Sequence, residues 1–119
     1  MKDYRELRVW ERAHLLALAI YRATSLFPKD ELYGLTSQIR RACSSIPANI
    51  AEGCGRDTDA DFARFLQIAA GSASELDYHL LLAHDLKFIT DIDYITLSQG
   101  LTEVRKMLTA FIKRLRANG

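Results

Sequence analysis

Gln38-Ile39-Arg40-Arg41-Ala42-Cys43-Ser44-Ser45-Ile46-Pro47-Ala48-Asn49-Ile50-Ala51-Glu52-Gly53 reads as one amphipathic helix whose rhythm survives a proline. Leu35, Ile39, Ala42, Cys43, Ile46 and Ile50 recur at steps of three and four, the spacing of a single helical stripe. A proline inside a helix lacks the N–H donor and crowds the carbonyl four residues back, here that of Cys43, so it stops the helix or bends it. The stripe keeps its phase on both sides of Pro47, which predicts a bend and not a stop.

Two further rows lie on the same cylinder. Gln38, Arg41, Ser45, Asn49 and Glu52 fall in a narrow band beside the stripe, a polar ridge suited to tying this helix to a neighbour. Ser37, Ser44, Ala48 and Ala51 form a column of small side chains on the far side, where a solvent face would carry long charges. Small side chains let a second backbone approach closely, which makes the column a candidate contact between copies of the chain. A half-exposed helix that simply carries Ser and Ala gives the same pattern.

The remainder of the chain supplies three partners for this helix. Val9, Trp10, Ala13, Leu16, Ala17, Ile20 and Tyr21 mark a first helix from about Tyr4 to Ser25, closed by Leu26-Phe27-Pro28 because the residue before a proline disfavours helical geometry. Lys29 to Tyr33 form a short connection with about one helical turn. Gly53-Cys54-Gly55-Arg56 is a tight stop, with glycine placed for a left-handed terminus. Thr58 with Asp61, and Thr90 with Asp93, offer N-terminal caps for a third and a fourth helix. Phe62, Phe65, Leu66, Ala69, Ala73, Leu76, Leu80 and Ala83 trace the third stripe, to about Leu86. Tyr94, Leu97, Leu101, Val104, Leu108, Phe111 and Leu115 trace the fourth, and Asn118-Gly119 is expected to fray. Long helices with short links predict an all-α, single-domain, antiparallel up-down-up-down four-helix bundle over residues 1–119 with a Pro-kinked second helix.

Composition bounds the function. In 119 residues, 49% are hydrophobic and 26% charged, with two prolines and six glycines, which is globular and not disordered. No apolar run approaches a membrane span and no basic-apolar leader opens the chain, so the cytosol is the expected location. Nine Lys and Arg face six Asp and Glu through residue 56 (+3), two face eight over 57–95 (−6), and five face one over 96–119 (+4). That asymmetry suggests complementary patches and a head-to-tail contact more than a uniformly basic nucleic-acid binder. Lys2, Arg5, Arg8 and Arg12 share part of one face with Glu6 and Glu11 interleaved, a solvated mixed-charge surface.

Reactive groups do not converge. Glu11 and His14 have the spacing of a carboxylate-bridged di-iron half-site, but Glu75 is followed at that spacing by Tyr78, so no metal site or cofactor is expected. His79 and His84 do not share a helical face. The spacing of Cys43 and Cys54 matches no zinc pattern. Cys43 belongs to the apolar stripe, and Cys54 is read as a thiol exposed in a turn. No glycine-rich phosphate loop is present, and no enzymatic activity is expected. With the second and third helices antiparallel, Gln38 and Arg41 come level with Gly71 and Ser72, and Arg41 is expected to reach Glu75 as a partly buried ion pair that fixes register. The alternative is that Arg40 and Arg41 face outward onto phosphate.

Leu7-x-Val9-Trp10-x-x-Ala13, Ile20-Tyr21, Phe27-Pro28-x-x-Glu31-x-Tyr33-Gly34-Leu35, Gln38 to Ala42, Ser45 to Gly53, Gly55-Arg56 and Phe62-x-x-Phe65-Leu66-x-Ile68-Ala69-x-Gly71-Ser72-x-x-Glu75-Leu76 together resemble the four-helix-bundle proteins encoded within intervening sequences of bacterial 23S ribosomal RNA genes. The resemblance implies the bundle fold, homo-oligomeric rings of five, and no established enzymatic activity. That family is similar to the accessory variability proteins of diversity-generating retroelements, which implies association with RNA, a ribonucleoprotein or a reverse-transcriptase-like partner. Under that alternative, basic surface formed on assembly from Arg5, Arg8, Arg12, Arg40, Arg105, Lys106, Lys113, Arg114 and Arg116 meets phosphate. Net charge of only +1 argues against it, because such binding rests on accumulated cations.

Overall fold

A computed structural model describes residues 3–118; Lys2 and Gly119, each given a role above, lie outside the described residues. Four helices follow one another: α1 (Arg8–Thr24), α2 (Leu35–Cys54), α3 (Asp59–Asp85) and α4 (Asp91–Asn118). No strand occurs among the described residues. Each helix packs on two neighbours, α1 and α3 both touching α2 and α4, which makes an all-α four-helix bundle of 45 × 23 × 20 Å. None of these helices is long and apolar enough to cross a membrane.

Local chemistry explains where the helices begin and end. The first pattern is broken: Tyr4–Glu6 is a 3₁₀ turn, Leu7 is extended, and α1 starts only at Arg8. The Asp3 carboxylate accepts the Arg5 backbone N–H at 2.9 Å, a local bond that competes with continuous helix. Between α1 and α2, Lys29–Glu31 is the expected single turn, and Glu31 Oε1 accepts the Leu35 N–H at 3.0 Å, capping α2 from outside. Thr58 and Thr90 accept the N–H groups of Asp61 and Asp93, as their spacing predicted.

α2 runs unbroken through Pro47 to Cys54. Gly53 does not supply a left-handed stop, since no glycine among the described residues has positive φ. It sits where α2 comes close to α3: a Cβ there would lie 2.8 Å from both Phe62 Cδ1 and Phe65 Cβ. The left-handed residue is instead Lys87, φ 65°, which closes α3 in a Schellman turn with Phe88 N–H donating to Ala83 O at 2.9 Å.

The core lies on the predicted stripes. Ile20, Ile39, Ile46, Ile50, Leu66, Leu76, Leu80, Leu101 and Leu108 are fully buried, each contributing about 1.5–3 kcal/mol. Ile112 and Ala63 join this core. Tyr21, placed on the inner face by the sequence, is instead 43% exposed. Cys54 is buried and not an exposed thiol, because the helix continues past Gly53 and Cys54 is the last residue of α2 and not part of an open turn. Burial pushes the Cys43 thiol up to about 12.

Candidate interaction surface

The polar ridge of α2 holds a hydroxyl bridge and not the expected ion pair. Ser45 Oγ and Ser72 Oγ lie 2.9 Å apart, joining α2 to α3, and Asn49 Nδ2 donates to Ser45 O at 2.8 Å and to Ser45 Oγ at 2.9 Å. Ser72 thus stands opposite Ser45 and not opposite Gln38 and Arg41, a register about one turn from the one expected. Gln38, Arg41 and Glu75 line a groove above this bridge, all three exposed. No ion pair joins Arg41 to Glu75 among the described residues, because both long side chains have water as the cheaper partner. Glu52 turns back to Arg56 at 3.5 Å.

Arg40 faces the other neighbour. Its Nε–H donates to Thr24 Oγ1 at 2.9 Å, its Nη2 to Tyr21 O at 3.3 Å, and its guanidinium lies 4.8 Å from the centre of the Tyr21 ring. Thr24 Oγ1 in turn donates to Ile20 O at 2.8 Å. Arg40 therefore satisfies and charge-complements the C-terminal end of α1, a use that withdraws it from the list of free phosphate contacts.

With α1 on the Arg40 side of α2 and α3 on the Ser45 side, the small-residue column occupies the corner between them. Ser44 and Ala48 are exposed, Ser37 and Ala51 half-buried, and Ser44 Oγ spends its hydrogen bond on Arg41 O of its own helix. The surface of α1 has an apolar strip of its own: Trp10 stacks on His14 with ring centres 4.9 Å apart, and Leu15 and Leu18 are 52% and 42% exposed. On α3, Ile68 and Tyr78 are exposed, and a Cβ at the intervening Gly71 would meet nothing within 4 Å. Leu15 and Leu18 fall off the inner stripe, so helical periodicity alone does not single them out.

The remaining basic residues do not merge into one site. Arg5 pairs with Asp3, Arg12 with Glu103 at 3.0 Å, and Arg105 with Asp77 at 3.6 Å. Lys106 and Lys113 share the outer face of α4 with Thr102 and Thr109, and Arg116 lies beside Arg64 at the boundary of α3. Arg8 and Arg114 come together across a groove between α1 and α4. His84 bridges to Asp91 at 2.7 Å and stacks on Tyr94 at 4.3 Å, tying α3 to α4. Among the described residues no three His, Cys, Asp or Glu side chains are grouped to hold a metal ion.

A solved structure similar to this chain is the crystal structure of a protein with unknown function from the S23 ribosomal protein family of Bacteroides thetaiotaomicron, with a TM-score of 0.82 and 31% identity over 88% of this chain and 98% of that one. Comparison with curated proteins gives no match. The model of the 23S rRNA-intervening sequence protein family matches residues 5–110, nearly the whole bundle including both faces of α2. The chain belongs to the 23S rRNA-intervening sequence protein family.

Proposed function

We propose that this protein is a non-enzymatic scaffold that assembles with copies of itself into a closed ring, five being the number the resemblance implies. The observation that carries the reading is the α2 corner, where the small side chains Ser44 and Ala48 are exposed, while α1 and α3, which pack on either side of α2, carry exposed apolar side chains of their own (Leu18 on α1; Ile68 and Tyr78 on α3). Two different strips favour a head-to-tail contact over a two-fold one. Adjacent faces of a square bundle are set about 90° apart, and a head-to-tail ring needs about 90° between its two contact faces for four copies and about 108° for five. The cytosolic placement expected from the sequence accords with this role. Multi-angle light scattering tests it: the expected mass is about five times the 13.5 kDa of one chain, and a mass of one chain at all concentrations refutes it.

The second reading, association with RNA or a ribonucleoprotein, is favoured by the outer face of α4. Thr102, Lys106, Thr109 and Lys113 follow one another there at three- and four-residue steps with no carboxylate among them. Such a row suits successive phosphates. Titration of a structured RNA at rising salt tests it, because a phosphate-driven complex weakens steeply with ionic strength.

A further inference from the structure

The groove between α1 and α4 has the make-up of a receptor. Because α1 begins at Arg8 and the 3₁₀ turn before it packs toward α2, the last turns of α4 are left open on their α1 side among the described residues. The resulting groove, about 610 Å³, has Val9, Met107 and Phe111 as its floor, with Arg8 and Arg114 at its edges. The Arg114 guanidinium is held 5.2 Å from the centre of the Phe111 ring. Neither arginine has an ion-pair partner among the described residues, and no carboxylate lines the groove. An apolar floor between two cations calls for an apolar side chain flanked by carboxylate.

The opposite end of the molecule presents that chemistry. In the first turn of α4, Ile92 and Ile95 are 76% and 54% exposed and stand one turn apart, with exposed Asp91 and Asp93 beside them. The Thr90 cap holds this turn in place. From Ile92 to Arg114 the helix rises by about 33 Å, so a chain cannot fill its own groove. We propose that bundles associate end to end, the Ile92 side chain of one copy seating on the Met107–Phe111 floor of the next with Asp93 between Arg8 and Arg114. The contact is head-to-tail and does not close on itself, so it stacks units in a row. It is small and partly ionic, therefore weak, concentration-dependent and salt-sensitive. In a ring, several such contacts act in parallel.

The contact does not depend on the ring, since the unit that stacks is whatever particle the protein forms when dilute. Sedimentation velocity over a concentration series at low salt is expected to show growth beyond that particle, lost at high salt. A groove variant, Arg8→Glu with Arg114→Glu, and a tip variant, Ile92→Ser with Asp93→Asn, should each abolish the growth while leaving the dilute particle and the helical signal unchanged. Mixed in equal amounts, the two should form pairs of particles, because the intact tip of one meets the intact groove of the other. No growth of the unmodified protein at any concentration, growth undiminished in either variant, or failure of the mixture to pair overturns the proposal. A dilute particle of one chain refutes the ring alone.

Discussion

Gly53→Ala probes a close approach of α2 to α3. An added Cβ would lie 2.8 Å from Phe65 Cβ, 2.8 Å from Phe62 Cδ1 and 3.2 Å from Phe62 O. Two of those three atoms are backbone or one bond from it and cannot swing aside, and the Phe62 ring is held by its edge contact with Phe111 at 5.1 Å. The helices must therefore part, at the upper end of the roughly 1–3 kcal/mol that overpacking costs. Against this stands the gain of about 1 kcal/mol for replacing glycine by alanine inside a helix. The net loss is about 1–2 kcal/mol, a fall in Tm of roughly 4–8 °C for a domain of this size. Thermal melts at fixed protein concentration measure it, with Gly71→Ala as the counterpart. Gly71 is also helical but has open space around it, so alanine there should stabilise the single bundle by up to about 1 kcal/mol. A higher Tm for Gly53→Ala would refute the close-approach reasoning.

Other consequences follow from the same contacts. Arg40→Met removes the bonds to buried Thr24 and to Tyr21 O, and should cost about 1–3 kcal/mol in urea unfolding; an unchanged midpoint would mean that Arg40 is idle. Ser45→Ala deletes the bridge to Ser72 and one Asn49 bond, with an expected loss of about 1 kcal/mol, whereas Arg41→Ala, lacking any ion pair, should lie within about 0.5 kcal/mol of the parent. Below pH 9.0 the Cys43 thiol is neutral in both states; above it the unfolded thiol ionises while burial keeps the folded one protonated up to about 12. Stability should therefore fall by about 1.4 kcal/mol per pH unit in that window, beyond any fall seen in Cys43→Ala. Equal pH slopes for the two proteins would remove the effect.

The apolar stripes and caps were legible because each is a local pattern: the phase across Pro47 and the two threonine caps needed no knowledge of a partner helix. What was not legible depended on meeting another element. Arg40 and Arg41 are adjacent and chemically identical, yet one closes the end of α1 and the other stands in water, a difference set by where α1 packs. Gly53 looked like a left-handed stop, and the real one is Lys87, whose type gives no hint of positive φ. The register of α3 on α2, and with it the Ser45–Ser72 bridge, turned on one helical turn that loop length alone does not set.

The slim corner of α2 is the part of the account on which the function rests, and Ala48→Arg strikes it directly. Ala48 is exposed in the single bundle, so a long cation there leaves the fold intact. In a sandwiched helix it would occupy the space of the neighbouring copy. Light scattering of this variant, beside Thr102→Arg on the outer face of α4 as control, should give a single chain of 13.5 kDa for the former and the parent's multiple mass for the latter. An Ala48→Arg protein with the parent's multiple mass, or a parent that is itself a single chain, would contradict it.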